Sequence, residues 1–198
     1  MKRAGRIETV RSLLGRRSLV LVGMMGCGKS AIGKLLASDL GLPYFDSDAE
    51  IVAAADMPVA DIFEKFGEDY FRKGEERVVA RLLAEGSSVL SLGGGAFISE
   101  ATRSEIAQNA ISIWLKADLD LLMARVMRRP GTRPLLQTEN PRATLAALME
   151  KRSPIYSLAD VHVESSRLSK RQTGDDVMRA LATFLKTHRD EEKIANDQ

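Results

Sequence analysis

Cysteine is nearly absent from this chain: among 198 residues only Cys27 is present. One thiol forms no intramolecular disulfide and no multi-cysteine zinc site, and it suits a reducing compartment, the cytoplasm. Long apolar runs are missing too, since none approaches the ~18 residues of a membrane-spanning helix. Charge of one sign is equally scarce: 29 Lys and Arg face 27 Asp and Glu, leaving a formal charge of +2. That balance excludes a general nucleic-acid or membrane-surface binder and confines any cationic function to a local site. Apolar residues make up 44% of the chain, enough for the core of one domain without metal or disulfide staples.

The termini are more charged than the middle. Residues 1–17 carry Lys2, Arg3, Arg6, Arg11, Arg16 and Arg17 against Glu8, with Ile7, Val10, Leu13 and Leu14 at helical spacing. They read as a basic amphipathic extension; a transit peptide is the alternative, and the apolar run of a secretory signal is missing. Residues 186–198 are charged and lose apolar periodicity after Leu185, as in a frayed tail.

Between them, residues 18–185 read as a single domain. Short Leu- and β-branched runs at Ser18–Val22, Leu42–Phe45, Ser88–Leu92, Ile111–Leu115 and Val161–Val163 alternate with helical segments, which predicts a parallel sheet. A continuous run such as Leu19-Val20-Leu21-Val22 needs cover on both faces, so the expected fold is a three-layer α/β/α sandwich with a five-stranded parallel sheet. Helices are predicted at Lys29–Leu40, stopped by Gly41, at Asp61–Glu85 with a break near Gly67, and at Glu100–Asn109, Asp118–Arg128 and Pro141–Arg152. The Pro- and Arg-rich break around residues 129–140 reads as a mobile lid, because its flanks are too short to fold alone.

Gly23-Met24-Met25-Gly26-Cys27-Gly28-Lys29-Ser30 fits the phosphate-loop pattern G-x-x-x-x-G-K-[ST], with a buried strand before it and an amphipathic helix after. Glycines let successive N–H groups turn toward phosphate oxygens, and the helix N-terminus adds partial positive charge. Lys29 would bridge the β- and γ-phosphates of a nucleotide, and Ser30 would ligate Mg²⁺; the loop alone leaves motor ATPase, GTPase and small-molecule kinase open. Cys27, a thiol near a helix N-terminus, reads either as a reactive group or as a small space-filler under the nucleotide.

The strand Ser88–Leu92 runs into Gly93-Gly94-Gly95 without the metal-directed acid common in ATPases, whereas Asp46-Ser47-Asp48 follows the strand Leu42–Phe45. One of these carboxylates would sit near Mg²⁺ and the other near an acceptor hydroxyl, unless both simply line a solvated turn. With Phe71-Arg72-Lys73-Gly74-Glu75-Glu76, Arg133-Pro134-Leu135-Leu136 and Lys151-Arg152-Ser153-Pro154-Ile155-Tyr156, six motifs stand in order between Leu19 and Val163. In these the sequence resembles the shikimate kinases, P-loop kinases of the nucleoside monophosphate kinase-like group.

The resemblance implies a site. Gly26, Cys27, Gly28, Lys29, Ser30 and Ala31 would wrap the ATP phosphates, with Ser30 on Mg²⁺ and Asp46 reaching it through water. Asp48 would act as general base on the shikimate hydroxyl, Arg72 and Arg152 would pair with its carboxylate, and Gly93, Gly94 and Gly95 would approach it with backbone. Arg133 would close on the phosphates, Phe63 and Phe71 would wall the pocket, and Glu75 would orient Arg72 or a ring hydroxyl. Arg125 stands as the choice for an adenine-contacting arginine, although it does not align without a gap, and Ala31 replaces a common Thr. Residue chemistry agrees in part: the guanidinium fork suits a carboxylate, and a lid excludes water from the γ-phosphate. Phe63 and Phe71 read equally as core residues, and Glu75 as a helical partner of Arg72 or Lys73.

The expected activity is therefore ATP-dependent phosphorylation of the 3-hydroxyl of shikimate by a cytoplasmic monomer, within aromatic amino acid biosynthesis. Two rivals stand beside it: a gluconate or nucleoside monophosphate kinase, and a nucleotide-binding regulatory module without catalysis.

Overall fold

The structure, a computed structural model, describes residues 2–128, 134–136, 138–165 and 169–196. Its five strands, β1 (Ser18–Val22), β2 (Tyr44–Asp46), β3 (Val89–Ser91), β4 (Ala110–Lys116) and β5 (Val161–Glu164), form one parallel sheet in the order β2-β3-β1-β4-β5. The central β1 is an unbroken apolar run because helices cover both of its faces; Leu19, Val20 and Leu21 are fully buried. The edge strand β5 instead alternates, with Val161 and Val163 in and His162 and Glu164 out.

Parallel register aligns the carboxyl ends of the strands along one edge of the sheet. Leu21 pairs with Ser91, Asp46 with Ser91, and Val22 with Trp114. Chain leaving β1, β2 and β3 therefore emerges side by side, the place where open α/β sheets bind ligands.

Helix α2 (Lys29–Leu40) follows the expected boundaries and ends on a left-handed Gly41. Helix α4 (Val59–Ala84) breaks its helical backbone at Gly67, as the sequence implies, and α5 (Glu100–Asn109) is capped by the Ser99 hydroxyl. Helix α6 (Leu119–Val126) is shorter than predicted, whereas α7 (Pro141–Tyr156) runs past Arg152 through Pro154. A helix without a sequence-based expectation, α3 (Ser47–Ala55), starts directly at the end of β2 and makes Asp48 a first-turn residue rather than part of a loop.

The terminal segments differ from their expected roles. Residues 1–17, read as an extension, hold helix α1 (Arg3–Leu14), which packs against α2 and against the last helix, α8 (Lys170–Asn196). Val10 is fully buried and Leu14 nearly so, which explains the apolar spacing. Arg3 bridges Asp39 of α2 and Asp175 of α8, and Arg11 Nε donates to the Leu40 carbonyl at 3.0 Å, satisfying an end group of α2. At the other end, residues 186–196, read as a frayed tail, continue α8 as helix. Of the expected lid, residues 129–133 and 137 lie outside the described residues, while Pro134–Leu136 form a short 3₁₀ turn that buries Leu136 and exposes Leu135.

Candidate active site

The phosphate loop leaves β1 through Gly23, whose φ is +134°; a Cβ there would stand 2.7 Å from the Leu115 carbonyl oxygen, so only glycine fits. Lys29 turns back over the loop, donating from Nζ to the carbonyls of Gly23 at 2.8 Å and Met24 at 3.2 Å. An ammonium held on neutral carbonyls is poised to exchange them for phosphate oxygens. Cys27 is fully buried, consistent with a space-filler.

Arg125 from α6 donates to the carbonyls of Gly26 and Cys27 and to Ser165 Oγ, the latter two contacts both at 3.1 Å. Ser165 Oγ in turn donates to the Cys27 carbonyl at 2.7 Å. Beside this network lies a cavity of about 270 Å³ lined by Gly28, Ala31, Arg125, Ser165 and Thr173, next to the phosphate loop. Arg125 is thus brought beside the phosphate loop, and its contacts with the loop are to backbone carbonyls.

Ser30 and Asp46 meet as the sequence implies: Ser30 Oγ donates to Asp46 Oδ2 at 3.1 Å, and the Tyr44 hydroxyl donates to the same oxygen at 3.3 Å. Burial raises the Tyr44 pKa, with the Asp46 charge adding to the effect, so this phenol stays a donor.

A second cavity, of about 220 Å³, opens on the other side of the loop. Its walls include Asp48, Phe63, Phe71, Arg72, Glu75 and Arg152, with Gly94 and Gly95 as backbone and Leu135 from the expected lid. Phe63 and Phe71 pack with ring centres 4.6 Å apart, and Phe71 is both a core residue and part of the cavity wall. A separate apolar cavity of about 240 Å³ between α3 and α4 shares Phe71 but carries no carboxylate among its lining residues.

The charges of the second cavity are tightly arranged. Arg72 pairs with Glu75 at 2.7 Å and with Glu68 at 3.1 Å, and its guanidinium lies 5.3 Å from the Phe71 ring centre. Burial opposes the Arg72 charge, yet its bonds to Glu75 and Glu68 outweigh that and raise its pKa. Glu75 is 2% exposed, and burial pushes its carboxyl above the ordinary range against the lowering effect of Arg72, with the Asp48 charge pushing the same way as burial. Gly93 explains part of this proximity: a Cβ there would meet Asp48 Oδ1 at 2.3 Å and Glu75 Oε1 at 2.8 Å.

Three contributors escaped the sequence reading. Ser47, fully buried, accepts the Gly93 N–H on Oγ at 2.8 Å and so ties the start of α3 to the glycine turn. Met25 lines the second cavity, and Tyr156 donates its hydroxyl to the Gly94 carbonyl. For Tyr156 a signal existed, because it stands four residues after Arg152 and therefore on the same helix face. Arg133 lies outside the described residues.

A phosphate loop sharing one sheet edge with a separate pocket of acids and arginines places the molecule among the P-loop kinases of small molecules. Within that class the chain belongs to the shikimate kinase family, which it matches over residues 25–185. It is 54% identical over 168 residues to a shikimate kinase of Ruegeria pomeroyi, covering 84% of this chain and 86% of that one. The shikimate kinase of Rhizobium leguminosarum is 50% identical over 174 residues, with 88% of each chain covered. Among solved structures, the shikimate kinase of Acinetobacter baumannii in complex with shikimate superposes with a TM-score of 0.82 at 32% identity, covering 88% of this chain and 97% of that one. A gluconokinase of Sinorhizobium meliloti, 18% identical with a TM-score of 0.62, shares the fold alone. The chain is accordingly an ATP-dependent kinase of shikimate, and the gluconate and nucleoside monophosphate readings give way.

Proposed function

We propose that the chain transfers the γ-phosphoryl of ATP to the 3-hydroxyl of shikimate, with the two cavities flanking the phosphate loop as the nucleotide and shikimate sites. The observation that carries this reading is that Asp48, Arg72 and Arg152 line one cavity beside the loop. Backbone N–H groups of Gly26–Ala31 receive the phosphates, and Lys29 leaves its carbonyl partners for the β- and γ-oxygens. Arg72 and Arg152 hold the shikimate carboxylate, fixing the ring so that its hydroxyl faces Asp48. Asp48 accepts the hydroxyl proton as the O–P bond forms. Glu75 orients Arg72, and Phe63 and Phe71 wall the ring. Arg133, in the lid, stabilises the transferring charge, and the closed lid keeps water from the γ-phosphate.

The converging Ser30 hydroxyl and Asp46 carboxylate are hard oxygen donors of the kind Mg²⁺ takes, with phosphate oxygens and waters completing its shell. Ser30 would hold the ion directly and Asp46 through water, and the ion would supply neutralisation of phosphate charge there. The chain acts as a monomer, on the support of its single domain-sized core, and in the cytoplasm, on the support of its free, buried thiol.

Asp48→Asn tests this assignment. Turnover should nearly vanish while ATP affinity stays close to that of the parent protein; equal loss of both would make Asp48 structural and overturn its role as base.

A further inference from the structure

The Gly94 carbonyl accepts from two side chains of α7 at once: Arg152 Nη1, at 3.0 Å, and the Tyr156 hydroxyl. A carbonyl oxygen has two lone pairs, and these donors use both. Tyr156 is 1% exposed and is held from behind by Trp114, whose ring centre lies 6.0 Å away. The Arg152 charge also acts on the phenol, lowering its pKa against the raising effect of burial. Arg152, in contrast, lines the shikimate cavity and carries five N–H donors in a rigid fork.

We propose that Tyr156 is a positioning residue: by occupying the second lone pair of the Gly94 carbonyl, it limits Arg152 to one contact there and leaves the rest of the guanidinium fork for the substrate carboxylate. The inference rests on the reading of Arg152 as a carboxylate ligand. Without the hydroxyl, a part-buried acceptor loses one of its two partners, a loss that favours any nearby donor able to replace it. Arg152, already bonded to this carbonyl through Nη1, carries further N–H donors that can replace it. Turning toward the carbonyl relieves that loss but withdraws the fork from the carboxylate. Stability is then largely kept and substrate affinity is lost. Burial pushes the Tyr156 pKa up to about 12, so the hydroxyl remains a donor at any pH used for assay. The carbonyl it fixes belongs to the glycine turn that lines the cavity, and across a trans peptide the Gly95 N–H points the opposite way.

The test is a double-mutant cycle on Tyr156→Phe and Arg152→Ala, read as KM for shikimate, KM for ATP and kcat. Tyr156→Phe should raise KM for shikimate about tenfold, the scale of one charge-assisted hydrogen bond, and leave kcat and KM for ATP within about twofold. Added to Arg152→Ala, it should raise KM no further, because the residue it acts through is gone. Trp114 is the sole tryptophan of the chain, so its emission reports on the packing around Tyr156; unchanged emission in Tyr156→Phe shows that the ring has kept its place. An unchanged KM for shikimate in Tyr156→Phe, or an additive rise in the double variant, overturns the inference while Arg152 keeps its assignment. A KM unmoved by Arg152→Ala overturns the carboxylate reading, and the inference with it.

Discussion

Asp48 leans on the backbone of Gly93: a single carbon added there would lie 2.3 Å from Asp48 Oδ1. The carboxylate proposed as base thus takes its position from the glycine turn after β3 as well as from its own helix. Gly93→Ala should force Asp48 out of line and lower kcat by about 100-fold, the cost of roughly an ångström of misplacement, with KM for ATP little changed. A steady-state comparison checks this, and a parent-like kcat would show that Asp48 has room to adapt.

Cys27 sits inside the phosphate loop yet is fully buried. A neutral thiol reagent should label the native protein slowly and the unfolded protein at once, and saturating ATP should slow native labelling further. Rapid labelling unaffected by ATP would contradict the placement of Cys27 beneath the nucleotide.

Glu75 has its pKa raised above the ordinary 4.5 by burial, despite Arg72. An acid with a raised folded-state pKa binds more protons folded than unfolded, so its contribution to stability falls as pH rises from 4.5 through the folded value. Denaturant unfolding of the parent protein and Glu75→Gln across that window should show the parent losing ground to the variant as pH rises. The opposite trend would mean that the Arg72 ion pair outweighs burial.

Helix α1 is held by Val10 and Leu14 in the core and by Arg3 across α2 and α8. Leu14→Ala should cost about 2–5 kcal/mol, the range for emptying a buried leucine site, as read from chemical denaturation. A loss under about 0.5 kcal/mol, as at an ordinary surface site, would mean that α1 is not part of the packed domain.

Much of this was legible in the order of residues. Strand β1 and the phosphate loop follow from an apolar run and a glycine spacing, both local signals, and α2 and α5 have the expected limits. Helix α3 was hidden because Asp46-Ser47-Asp48 also spells a polar turn, and the Ser47 bond to Gly93 that anchors it joins residues 46 positions apart. The role of α1 was hidden for the same reason: its basic residues look like an exposed extension until Asp39 and Asp175 are brought beside Arg3. Arg72 and Arg152 were legible as arginines in motifs, but their meeting in one cavity with Asp48 depends on α3, α4 and α7 converging at the same sheet edge.

The central claim is that the pocket of Asp48, Arg72 and Arg152 selects shikimate as phosphoryl acceptor. ADP release measured with ATP and Mg²⁺ against shikimate, gluconate and nucleoside monophosphates tests it most directly. The account predicts saturable turnover with shikimate and only background release with the others. Turnover of gluconate or a nucleotide in the absence of any with shikimate would contradict it.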